Sequence, residues 1–221
     1  PVALPSTGCP VGYTCTANPG TPAAPAGTFV MDGTDGSVTV SLSSFAGNNT
    51  IKKGETKDMV AVKLQATAAP VSVSRFDVRF NTRPWLYFST ITLKDSSGDV
   101  IATKNLSGAS DATEITVGSD YLVRFEGINL VVTPGTDKTL VVSGSVLSTT
   151  DKLTSDVSVI VSVPNSSIRT INGKGYTDSI GLGTVAVAGT SGRTITLSST
   201  GSTANILGKL SPVSPDNRIV T

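Results

Sequence analysis

Histidine is absent from the 221 residues, and only three glutamates occur, Glu55, Glu114 and Glu126, set far apart. Without an imidazole there is neither a Ser-His-Asp triad nor a His-based metal site. Aspartates remain for two-carboxylate glycosidase chemistry, but no spacing singles out a pair, so the chain reads as a non-enzyme. No catalytic residue, metal site or cofactor is assigned. Lys and Arg together number 17 against 16 Asp and Glu, a net charge of +1. The basic residues stand singly, which excludes the stripe needed to neutralise successive phosphates of a nucleic acid. Also lacking is any apolar run of the roughly 18 to 20 residues that cross a bilayer as a helix, so no membrane span is expected in this chain. Residues that fill helices, such as Leu, Glu, Lys and Met, are sparse, which argues against long helices.

What is abundant is Ser, Thr and Val, punctuated by 22 Gly and 12 Pro. That composition favours short strands and tight turns, and the expected class is an all-β, Ig-like antiparallel β-sandwich with extended terminal segments. The two cysteines, Cys9 and Cys15, enclose Pro-Val-Gly-Tyr-Thr. They read as a local disulfide worth roughly 2 kcal/mol in the chain-entropy model, which implies an oxidising, extracellular or cell-surface location. A metal or redox pair would need further His or Cys ligands, and there are none. Beginning at Pro1 without an initiator Met or apolar leader, the sequence is expected to be a processed product or part of a longer one.

Three regions are expected. Residues 1–27 combine the cysteine knot with a spacer rich in Pro and Ala, Asn18 to Gly27, which cannot build a core of its own. Residues 28–192 carry strand-like runs between turn signals. Phe76, Val78 and Phe80 alternate with Asp77 and Arg79, the pattern of a half-buried antiparallel strand. Asp95-Ser-Ser-Gly-Asp99 and Thr133-Pro-Gly-Thr-Asp137 read as hairpin turns, and Val157 to Val163 is the most regular strand. Residues 193–221 form the third region, a strand and tail offered to another subunit or opening a next module.

Two further motifs carry competing readings. Arg83-Pro84-Trp85-Leu86-Tyr87-Phe88 holds the single Trp beside a Tyr and a Phe. Exposed, Trp85 and Tyr87 would contact a sugar or apolar ligand; buried, the cluster caps the core, which is the usual fate of a lone Trp. The loops Asp95 to Asp99 and Asp32 to Gly36 offer oxygen ligands for Ca²⁺, but Asp and Gly also simply make turns, and neither has an EF-hand's density of carboxylates.

The most informative pattern is a recurrence. Val38-Thr-Val-Ser-Leu-Ser-Ser44 returns as Arg193-Thr-Ile-Thr-Leu-Ser-Ser199, each with apolar residues at every second position. The second copy is followed only by a short segment containing Ile206, Leu210, Pro212 and Pro215. Ile195, Leu197, Ile206 and Leu210 are therefore expected on a strand that adds to a sheet edge of a neighbouring copy, with residues 1–27 as the rival donor and a return of the strand to its own chain's sheet as the alternative.

The Gly-Cys-Pro-Val-Gly-Tyr-Thr-Cys-Thr knot, the Pro/Ala spacer and the order Asp-Ser-Ser-Gly-Asp-Val, Gly-Ile-Asn-Leu-Val-Val-Thr-Pro-Gly-Thr-Asp-Lys-Thr-Leu-Val-Val, Ser-Val-Pro-Asn carry a resemblance. The chain resembles repetitive cell-surface proteins of ultra-small, mostly uncultured bacteria, in which Ser/Thr/Val-rich sandwich modules follow a peptidoglycan-binding segment. The resemblance implies a surface location and a structural or adhesive role, and brings no catalytic residues. Two expectations follow: a subunit of an extracellular, pilus-like filament or surface array whose partners are copies of itself, or a monomeric adhesin or carbohydrate-binding module whose partner is cell wall or glycan.

Overall fold

The computed structural model describes residues 29–44, 49–183 and 191–201. Cys9, Cys15, Ile206 and Leu210 lie outside the described residues, and so does the spacer. Within them, thirteen strands form two stacked sheets, an all-β Ig-like sandwich. In chain order they are β1 (Ser37–Leu42), β2 (Thr50–Lys53), β3 (Thr56–Thr67), β4 (Val71–Phe80), β5 (Phe88–Asp95), β6 (Val100–Asn105) and β7 (Thr113–Thr116). The series continues with β8 (Asp120–Val132), β9 (Lys138–Val146), β10 (Val157–Ser162), β11 (Ile168–Asn172), β12 (Thr177–Ile180) and β13 (Gly192–Gly201).

One sheet has the order β1-β3-β9-β5-β6 and is antiparallel throughout. In the other, β12-β11-β4-β10-β13-β2 form a path, β8 pairs with the other flank of β4, and β7 pairs with β8. β10 and β11 share one flank of β4, taking its end at Arg79 and Phe80 and its start at Val71 to Phe76 respectively. The pairing of β13 with β2 is parallel; every other pair is antiparallel.

The core lies between the sheets. Val60, Val62 and Leu64 of β3, Ile91 and Leu93 of β5, and Leu140 and Val142 of β9 face Phe76, Val78 and Phe80 of β4, Val159 and Val161 of β10, and Ile195 and Leu197 of β13. In β4 the inward set changes parity, from Val71 and Val73 to Phe76, Val78 and Phe80, because the register with both neighbours shifts between Val73 and Arg75. Such a bulge lets both halves of the strand bury their aliphatic residues, which a strict two-residue period would forbid. The turns expected from sequence are present. Asp95 Oδ1 accepts from the amides of Ser97 and Asp99, and Gly98 takes φ +93°, closing the β5–β6 hairpin.

Candidate functional site

Strand β13 holds two of the four residues expected on an inter-subunit strand. Leu197 pairs with Val157 of β10 on one side and with Ile51 of β2 on the other, and Ile195 pairs with Val159. Their exposures are 1% for Ile195 and 0% for Leu197. Both residues, expected on a strand given to another subunit, thus complete their own chain's sheet in this structure. The expected boundary after residue 192 therefore moves: among the described residues the sandwich continues to Gly201. Asp156 fastens the end of β13, accepting from the Ser199 amide at 2.9 Å and its hydroxyl at 3.1 Å. These bonds hold the Asp156 carboxyl below the usual carboxylate range, the backbone bond contributing most.

The edges of the sheets are the surfaces to which a strand can add. Among the described residues every edge strand but one carries charge. β2 has Lys52 and Lys53, β6 has Lys104, β7 has Glu114 and β12 has Asp178. β8 is free beyond Leu122, where its pairing with β7 ends, and bears Arg124, Glu126 and a bulge at Gly127, φ +70°. β1 carries no charge and no proline, pairs only with β3, and leaves its inward Val40 and Leu42 half-buried.

The aromatic cluster sits at a 3-10 turn over Pro84–Leu86. Trp85 and Tyr87 are half-buried and pack against the core. The indole meets the buried Tyr121 ring edge-on at 5.3 Å and 87°. The Tyr121 hydroxyl donates to Glu114 at 2.8 Å and accepts from Arg83 Nε at 3.1 Å. Glu114 is held below its ordinary value, chiefly by the Gly118 amide and then by Tyr121.

Outside the core face of β4, Asp77 is only 1% exposed although its side chain points away from the core. Arg124 grips it through two bonds of 2.9 and 3.0 Å, and Arg75 lies at 3.3 Å. The hydrogen bond to Asp77 raises the Arg124 pKa. Arg79 is paired with Asp120 in the same way. Arg124 also lines, with Ala102, Thr103 and Lys104 of β6 and Phe125 and Glu126 of β8, an open cleft of about 380 Å³.

Sequence reasoning missed Tyr176, which stands 67% exposed at the turn between β11 and β12. A cleft of about 260 Å³ lies beside it, lined by Asp35, Ser37, Thr170, Asn172 and Asp178 among others. The available signal was Gly173-Lys-Gly-Tyr-Thr-Asp178, an aromatic directly after Gly-Lys-Gly, with charge on either side. Asn172 organises the wall: Nδ2 donates to Asp35 at 2.8 Å, and Oδ1 accepts from the amides of Lys174 and Tyr176. Lys174 reaches Asp35 at 2.9 Å and, by that hydrogen bond above all, lowers the Asp35 pKa. The two aspartate loops considered for Ca²⁺ are used as turns: Asp32 Oδ1 accepts from the Thr34 amide and hydroxyl. No group of three or more His, Cys, Asp or Glu suited to a metal occurs among the described residues.

No family model matches the chain, and no curated protein does. Among solved structures it is similar to AvmM, which catalyses macrocyclisation in alchivemycin A biosynthesis, at 12% identity and a TM-score of 0.40, covering 76% of this chain and 92% of that one. A cohesin module from the family 33 glycoside hydrolase of Clostridium perfringens ATCC13124 is similar at 12% identity and a TM-score of 0.28, covering 74% of this chain and 96% of that one. Likenesses this remote carry no functional argument, and the all-β sandwich stands on the strands themselves.

Proposed function

We propose that the chain is a structural subunit of an extracellular, pilus-like filament or surface array, joined by β-strand addition between copies. The observation that carries this reading is β1, the uncharged edge strand with half-covered Val40 and Leu42. An unprotected edge offers unpaired backbone groups to an incoming strand, and charge or bulges at the other edges direct that strand here. The donor is the segment after Gly201, whose Ile206 and Leu210 would each gain roughly 1.5 to 3 kcal/mol on full burial. A head-to-tail contact of this kind propagates unless its rotation closes a ring. The cysteine pair and the resemblance support the extracellular setting.

The test is electron microscopy and sizing of the full chain, of a chain ending at Gly201, and of the double variant Thr39→Lys and Ser41→Lys. Both side chains are exposed on β1, so the lysines leave the core alone and block the edge. Filaments in the full chain that vanish in both variants support strand addition. A monodisperse full chain, or filaments indifferent to the lysines, overturns it.

A second reading, a monomeric adhesin or carbohydrate-binding module of a larger surface protein, is favoured by the polar cleft beside Tyr176 rather than by the half-buried Trp85 and Tyr87.

A further inference from the structure

Tyr176 stands in solvent, with no ring contact and no hydrogen bond from its hydroxyl among the described residues. Its position is fixed nonetheless. The Tyr176 amide donates to Asn172 Oδ1 at 2.9 Å, and its carbonyl accepts from the Asn172 amide at 3.0 Å. The turn is stitched to the segment before β1 as well: the Gly33 amide donates to the Gly173 carbonyl at 2.9 Å. A Cβ at Gly173 would strike the Asp32 carboxylate and Thr34, so only glycine lets the two segments meet. The cleft floor is set by cross-strand pairing, with Thr170 of β11 directly opposite Asp178 of β12. These ties make the cleft a preformed feature.

We infer that this cleft binds a neutral carbohydrate, one pyranose ring lying against the Tyr176 face while its hydroxyls reach Asp35, Asp178 and Thr170. The inference deepens the module reading and rests on it, and is independent of strand addition. The lining selects the ligand class. Asp35 and Asp178 repel phosphate, sulfate and acidic sugars. Apart from the tyrosine ring the named walls are hydroxyl, amide and carboxylate groups, which leaves an apolar ligand without a seat. A cationic ligand must compete with Lys174, which already occupies Asp35. A ligand with hydroxyls around its rim and C–H bonds on one face satisfies both the acceptors and the ring. At about 260 Å³ the cleft falls just below the roughly 300 Å³ at which pockets for drug-sized ligands begin, which suits one or two sugar rings with the remainder of the glycan in solvent.

Amide NMR of the full chain, titrated with maltose, cellobiose, lactose, chitobiose and mannobiose, with galacturonic acid and choline as charged controls, tests this. At least one neutral disaccharide shifts the resonances of Tyr176, Thr177 and Asp178, and the two controls do not. Tyr176→Ala weakens that binding by about tenfold, the upper range for one aromatic contact. Asp178→Asn weakens it as well, and thermal melts of both variants match the parent because both side chains are exposed. Sugar binding unchanged by Tyr176→Ala, or shifts produced by choline or galacturonate instead, overturns the cleft assignment and leaves the module reading standing. No response to any sugar overturns both. Filament formation, read on the same samples, is unaffected by Tyr176→Ala in every case.

Discussion

Strands β1 and β13 share one run of alternating hydroxyl and aliphatic residues, yet β1 has a single neighbour, β3, and β13 lies between β10 and β2. In β13 the inward Ile195 and Leu197 are fully buried; in β1 even the best-covered residue, Val38, keeps 9% of its surface exposed, while Val40 and Leu42 stay half-covered. Local pattern thus sets which side chains point inward, and the number of flanking strands sets how much water is removed from them. The same seven-residue motif is a keystone in one place and an open edge in the other. Deleting residues 193–221 to test assembly would remove that keystone, whereas a chain ending at Gly201 keeps the sandwich whole.

The contrast is sharpest under a buried charge. Leu197→Asp is expected to unfold the domain, an effect above about 4 kcal/mol, because the carboxylate would have no partner between β10 and β2. Ser41→Asp on the exposed face of β1 stays within about 0.5 kcal/mol. Urea denaturation followed by circular dichroism checks both; a folded Leu197→Asp chain would show that β13 is dispensable.

Truncation gives the next effect. Ile195→Ala costs about 2 to 5 kcal/mol, the range for large-to-small changes in a packed core. Val40→Ala costs about 1 kcal/mol or less, since part of its surface is already wet and each buried methylene is worth about 0.8 kcal/mol. Equal urea midpoints for the two variants would erase the distinction between keystone and edge.

Crowding separates the copies too. A Cβ at Gly192 would press on the Val161 carbonyl and on Ser162 of β10, so Gly192→Ala is expected to cost about 1 to 3 kcal/mol as overpacking. The matching position before β1's motif, Ser37, already carries a side chain and is exposed. Thermal melts that leave Gly192→Ala at the parent value would mean that β13 can shift along β10.

The smallest effect is in pH. Asp156 has a depressed folded pKa, so its bond to the Ser199 amide is fully formed above the ordinary carboxylate range and is lost as pH falls through the folded value. The protection factor of the Ser199 amide, its exchange rate referred to the intrinsic rate at each pH, is therefore expected to fall on acidification, and Asp156→Asn to remove that dependence. Among the described residues no carboxylate accepts from an amide of β1, so its amides provide the control.

Much of the fold was legible because the signals were local. The Asp95-Ser-Ser-Gly-Asp99 hairpin, the Thr133 to Asp137 turn and the inward faces of β10 and of β4 from Phe76 to Phe80 follow from turn chemistry and alternation, whereas the parity change at the β4 bulge does not. The burial of Asp77 was not, since alternation assigns it to the outer face and only the register places Arg124 across from it. Tyr176 was illegible for a related reason: a glycine-rich stretch reads as loop, and nothing in it says that Asp35 and Thr170 stand nearby. Trp85 stands out in the sequence as the single Trp, but its contact is with Tyr121 of β8, a strand 36 residues further along the chain.

By itself the sequence determined the class of structure and the chemistry available: strands from alternating Val, Ile and Thr, turns from Gly and Asp, and no imidazole for catalysis. Tertiary structure decided which copy of the repeated strand is interior, which edge lacks charge and which aromatic is left in water. The physical reason is that burial belongs to neighbours. A strand's pattern fixes the direction of its side chains, but the strands on either side, brought from residues 51 and 157 to meet Leu197, decide whether water can reach them.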